Sequence, residues 1–143
     1  MVMIPNRIGV ASAGVLAAEL LVEACEAGDG LHLETVRDLA EDLGRGLRRP
    51  VGAGEIASLV EAALACADLA TLATCNVAAL PDRVRPTAAA ATHLAAGAAR
   101  ALAALGEAEF DDREDAYAGN ALRDLRSAGW KADLAVRQLE KAA

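Results

Sequence analysis

The sequence AALACADLATLATCNVAAL, residues 62–80, decides the fold together with PTAAAATHLAAGAARALAAL, residues 86–105, which follows after a short break. Alanine and leucine dominate both. Alanine loses no side-chain entropy on entering a helix and leucine little, so both stretches read as helices. Pro81 closes the first; Pro86 suits the first turn of the second, where its missing N–H costs nothing. The first stretch extends back to Gly54 and is apolar on nearly every side, with a thin polar stripe of Ser58, Glu61, Asp68 and Cys75. The second runs to Leu105, with Gly106 as its expected C-cap.

Working outward, three more helices can be read. One spans Gly9 or Ser12 to Ala27, with Ala13, Ala17, Leu20, Ala24 and Ala27 on its inner side and Glu19, Glu23 and Glu26 on its wet side; Gly28 and Gly30 stop it. The next, Leu33 to Leu47, repeats Leu33, Val36, Ala40, Leu43 and Leu47 and is closed by Pro50 and Gly52. The last covers Asp112 to Ala142, with Ala118, Leu122, Leu125, Gly129, Ala132, Val136 and Leu139 inward and Asp133–Arg137 as an i,i+4 pair. Asp112, Glu114 and Asp115 suit its positive end, and Arg137 and Lys141 its negative end. β-Branched residues are too sparse for a sheet. The expectation is an all-α, alanine-rich antiparallel bundle of about five helices, with residues 1–143 forming a single domain.

A net charge of −7 argues against binding nucleic acid or an anionic membrane surface, both of which need a basic face. Two histidines and three cysteines are too few and too scattered for zinc. Cys66 and Cys75 stand roughly 13 Å apart along one helix, beyond disulfide reach, and all three cysteines are expected reduced and buried. The start, Met1 to Arg7, contains Pro5 and no cleavable apolar core, so no signal peptide is expected. Asp68 would cost ~2.5–3.5 kcal/mol inside a bilayer, which argues against a span over residues 62–80. These features point to the cytoplasm. Each alanine methyl contributes only ~0.8 kcal/mol on burial, and the third and fourth helices have more apolar perimeter than five helices cover. A homo-oligomer, with a dimer as the expected state, would place those two helices at its interface or centre.

Candidate chemistry interrupts these apolar helices. In an antiparallel hairpin whose turn centres on Val84, Asp68 matches Arg100 in height and Cys75 matches His93. On one reading Asp68 and His93 are acid/base groups in a pocket. On the other, Asp68 and Arg100 form an ion pair that fixes register. The loop from Asn76 to Arg85 adds Asn76, Asp82, Arg83 and Arg85. Its arginines could hold a carboxylate or phosphate, or the loop could be an ordinary turn capped by Asp82. Gly9 to Gly14 lacks the Lys and the preceding strand of a phosphate loop. Trp130 reads as a packing anchor, and Asp111–Asp115 as a solvated helix start.

The segment CNVAALPDRVRPTAAAATHLAAGAARALAAL, Cys75 to Leu105, resembles the later helices of the formimidoyltetrahydrofolate cyclodeaminase and methenyltetrahydrofolate cyclohydrolase family through Asn76, Asp82, Leu94, Ala95 and Ala98. GVASAGVLAAEL, Gly9 to Leu20, resembles that family's small-residue first helix, although the family is richer in glycine there and longer between the first and third helices. The resemblance implies a dimeric helical protein acting on or binding a folate derivative, with Asp68, Asn76, Asp82 and His93 around the ligand; independently of it, Arg83, Arg85 and Arg100 are candidates for binding a ligand's charged groups. Neither a metal nor any other cofactor is implied. The competing reading is a non-catalytic helical module for oligomerisation or partner binding.

Overall fold

Gly30 breaks the chain after its first helix. Its φ of +113° lies in the left-handed region that side chains disfavour, and the next helix starts on it. In the computed structural model, which describes residues 3–48, 56–111 and 113–142, the described residues form five α-helices and no strand. The fold is an all-α bundle. The helices are α1 (Met3–Glu26), α2 (Leu31–Leu47), α3 (Ile56–Asn76), α4 (Arg85–Phe110) and α5 (Ala116–Ala142), with 3-10 turns at Val77–Ala79 and Asp82–Val84 between α3 and α4. Helices α3, α4 and α5 pack against one another, α1 lies on α4, and α2 lies on α1 and the flank of α3.

Several boundaries differ from the sequence expectation. Helix α1 starts at Met3, with Pro5 in the first turn, where no intrahelical N–H is required. Helix α4 runs through Gly106 to Phe110, because Gly106 is not a cap but a point of close approach: a Cβ there would stand 2.5 Å from Leu125 Cδ1 and 3.1 Å from Leu59 Cδ2. Helix α5 starts at Ala116, after Asp115, whose Oδ2 accepts a hydrogen bond from the Ala118 amide at 3.3 Å. The Arg113 guanidinium grips the Asp115 carboxylate at 3.1 and 3.0 Å and holds its pKa below the usual carboxylate value. The expected stops at Pro50 and Gly52, and the starts at Gly54 and Asp112, lie outside the described residues.

The core is largely methyl groups. Ala63, Ala67, Ala70 and Ala73 of α3 are buried, as are Ala88, Ala91, Ala95 and Ala99 of α4. Larger anchors are Leu21, Leu59, Leu69, Leu102, Leu125 and Phe110. Such short side chains give strong attraction only when helix axes come close. At Gly44 of α2 they come too close for a methyl, since a Cβ would lie 2.8 Å from Ala18 Cβ on α1. That neighbour has no flexible end to move. We therefore expect Gly44→Ala to destabilise the fold despite a helix-propensity gain of about 1 kcal/mol, because overpacking costs about 1–3 kcal/mol. Gly97 of α4 has no atom within 4 Å of its Cβ position, so Gly97→Ala should stabilise by about 0.5–1 kcal/mol. Urea midpoints of the two variants should move in opposite directions; equal shifts would contradict the packing described.

Two stretches, Leu59–Ala79 and Asp82–Phe110, are long and apolar enough to cross a membrane by length and composition, and 56% and 50% of their apolar windows lie inside the bundle. Core helices of a bundle have the same properties. About half of the apolar perimeter of α3 and α4 is thus covered within the chain. Among the described residues, the exposed large apolar side chains are on other helices: Leu16 on α1, Leu31 and Leu39 on α2, and Tyr117, Trp130 and Leu134 on α5.

Candidate functional site

Consecutive antiparallel helices bring the α1–α2 turn and the α3–α4 connection to one end of the bundle. Asn76, the last residue of α3, is buried there. Its Nδ2 donates to the Leu72 carbonyl at 2.7 Å, which turns its Oδ1 toward His32 Nε2, 2.6 Å away. His32 Nε2 must then carry the proton it donates. Sequence spacing does not single out His32; the signal for it is that an up-down bundle brings the α1–α2 turn to the same end as the α3–α4 connection. The arginines hold backbone. Arg83 donates to the Ala27 carbonyl at 3.1 Å and ties the connection to the end of α1. Arg85 donates to the carbonyls of Leu80 and Ala78, both at 3.2 Å, and pairs with Asp82 at 3.0 Å. Asp82 therefore faces Arg85 across one 3-10 turn.

The seam between α3 and α4 does not form. Asp68 and Arg100 each lie on the exposed face of their own helix, away from the buried alanines of α3 and α4. Arg100 pairs instead with Asp133 of α5 at 3.0 Å, which also removes Asp133 from the expected partner Arg137. Both members are about half exposed, so the pair contributes ~1 kcal/mol or less. Cys75 is exposed on the outer stripe of α3 with Glu61, Asp68 and Thr71, contrary to the expectation that all three cysteines are buried. His93, also exposed, borders a groove of about 580 Å³ between α1 and α4, whose floor is Val10, Ala13, Leu94, Ala98 and Ala101. Asp68, Asp82 and His93 thus stand on α3, on the α3–α4 connection and on the α1 side of α4. Inside the bundle, the Thr74 hydroxyl is buried without a partner, whereas those of Thr71 and Thr92 bond the carbonyls of Ala67 and Ala88.

The outer face of α5 has a different character. Spacings of three and four place Arg123, Arg126, Trp130, Leu134, Arg137 and Lys141 on one stripe, and all six are exposed. Trp130 is 64% exposed, so it is not the packing anchor expected from the sequence. Its neighbours one turn away are Arg126, Ser127, Asp133 and Leu134; Asp133 flanks the stripe and is held by Arg100 of α4. Among the described residues no ion pair engages Arg123, Arg126, Arg137 or Lys141; Arg123 donates to Asn120 Oδ1 at 2.7 Å. Helix α5 carries five basic and three acidic side chains in a chain of net charge −7. The chain matches no known family model, no protein of curated function and no solved structure.

Proposed function

We propose that the chain is a non-catalytic helical docking module, which binds an acidic amphipathic helix on the outer face of α5. The exposed Trp130, set among arginines on an otherwise acidic protein, carries this reading. Trp and Arg combine large contact area with directional charge and dominate interface energetics. An indole left in water on a folded surface is stabilised when a partner covers it. The folate-directed alternative needs Asp68, Asp82 and His93 around one ligand, and within one copy they occupy three separate surfaces.

Trp130 is the only tryptophan, so its emission reports the site directly. Titration with a synthetic helix bearing leucines along one edge and glutamates beside them should shift the emission to the blue, with Kd on the order of 100 μM. Raising salt from about 0.05 M to about 0.5 M should weaken binding several-fold. The Arg126→Glu/Arg137→Glu variant should lose at least about ten-fold in affinity. No shift at millimolar peptide would sink the proposal, as would a shift produced by anionic vesicles alone. A rise in melting temperature with a folate derivative would restore the catalytic reading.

A further inference from the structure

The molecule itself carries a face of the kind that α5 would bind. Helix α2 buries Leu33, Val36, Ala40, Gly44 and Leu47 and turns its opposite side to solvent. On that outer side Leu31 is 77% exposed and Leu39 48% exposed, two turns apart. Thr35 lies between them, its hydroxyl turned back onto the Leu31 carbonyl at 3.0 Å. The two leucines, ~12 Å apart along the axis, leave a gap floored by a small side chain that is wide enough for an indole. Glu34, Asp38 and Asp42 line the same side, and α2 carries four acidic against two basic side chains. The two basic residues, Arg37 and Arg45, hold Asp38 and Asp42 at 3.3 and 2.8 Å as exposed pairs, which exchange partners at little cost.

We infer that the occupant of the α5 face is a second copy of this chain, presenting the outer face of its α2. This rests on the docking reading above and names the partner. Trp130 enters between Leu31 and Leu39 of the second copy, while Arg126 and Arg137 reach its Glu34, Asp38 and Asp42. The two faces are opposite in charge and alike in carrying large exposed apolar groups, the combination that favours association of α2 with α5 over α2 with α2 or α5 with α5. Helix α3 lies between α2 and α5, so the two faces look out from separate sides of the bundle. Joining unlike faces gives a head-to-tail contact, which continues into rings or filaments. Helix α2 has 17 residues and spans ~25 Å, so one such contact buries less than the ~800 Å² per partner of a standard interface. The association is accordingly weak and sensitive to salt.

The test uses the whole chain and two charge reversals at exposed positions. In one variant Arg126 and Arg137 become glutamate; in the other Asp38 and Asp42 become lysine. Sedimentation equilibrium at about 0.05 M salt should show wild-type mass rising past that of a dimer as the concentration approaches several hundred micromolar. Each variant alone should lose about ten-fold or more in association, because its two faces now carry the same sign. An equimolar mixture of the two should associate again within a few-fold of wild type, since the acidic α5 of one meets the basic α2 of the other. Circular dichroism should be unchanged throughout. A wild type that stays monomeric overturns self-association, and so does a mixture that fails to associate or a dimer that survives both reversals. If a monomeric wild type still binds the acidic peptide through Trp130, the docking reading stands and only the identity of the partner falls.

Discussion

Phe110→Ala should lower the free energy of unfolding by about 3–5 kcal/mol, a large share of the ~5–15 kcal/mol that holds a domain of this size. Phe110 is the only phenylalanine, is 0% exposed, and closes α4 where the chain turns toward α5. The Arg113 guanidinium sits 5.5 Å from its ring centroid and the Arg113 amide donates to its carbonyl at 3.0 Å, so the ring also anchors the turn. The surrounding core is built mainly of alanines, whose methyls cannot swing into a void. The upper part of the range is therefore expected. Phe110→Leu, which keeps most of the volume, should cost less than half as much. Urea midpoints for the two variants provide the measurement. A loss below about 1 kcal/mol for Phe110→Ala would mean that this junction opens independently of the cooperative core.

The all-α bundle is legible because alanine and leucine leave no competing local structure and because glycine and proline mark most of the breaks. Helix α2 is read almost residue by residue: Leu33, Val36, Ala40 and Leu47 are buried, and only Leu43 yields its place to Gly44. Where alanine fills both sides of a helix, the pattern loses contrast. In α1 the deep residue is Leu21, while Leu20 is only partly buried. The same lack of contrast hid Gly106, which looks like a stop but is the space that Leu125 and Leu59 occupy.

Candidate site residues were harder to place for a different reason. Spacing along a hairpin, the basis for pairing Asp68 with Arg100, carries no direction, and both residues lie on exposed faces of their helices. The stretch from Asn76 to Arg85 concentrates polar residues in the sequence. Its partners, however, come from the α1–α2 turn, through Ala27 and His32, and no local pattern announces a contact across 44 or 56 residues. The size and apolarity of Trp130 suggest burial, yet it is exposed. Its neighbours on the helix face, Arg126 and Arg137, were the stronger indication.

Raising the pH from 8 to 10 should cost about 1.4 kcal/mol of stability through Cys66 alone. Cys66 is fully buried where three helices meet; a Cβ at Gly14 of α1 would lie 2.7 Å from its sulfur and 2.9 Å from Leu47 Cδ1 of α2. Burial opposes the thiolate there and pushes the thiol from its ordinary 9.0 up to about 12. Below pH 9 the thiol is protonated in folded and unfolded chains alike, and its contribution is fully present. Between 9 and about 12 the unfolded chain sheds a proton that the bundle retains, so stability falls by about 1.4 kcal/mol per pH unit. Cys25, also raised by burial, adds in the same direction. Urea midpoints at pH 8 and 10 should therefore separate clearly in the wild type and much less in Cys66→Ala. The alanine variant removes the sulfur from the three-helix junction, so its own stability changes at both pH values; the decisive quantity is the difference between them. An unchanged pH dependence would mean that water reaches the sulfur and that α1, α2 and α3 do not close over it.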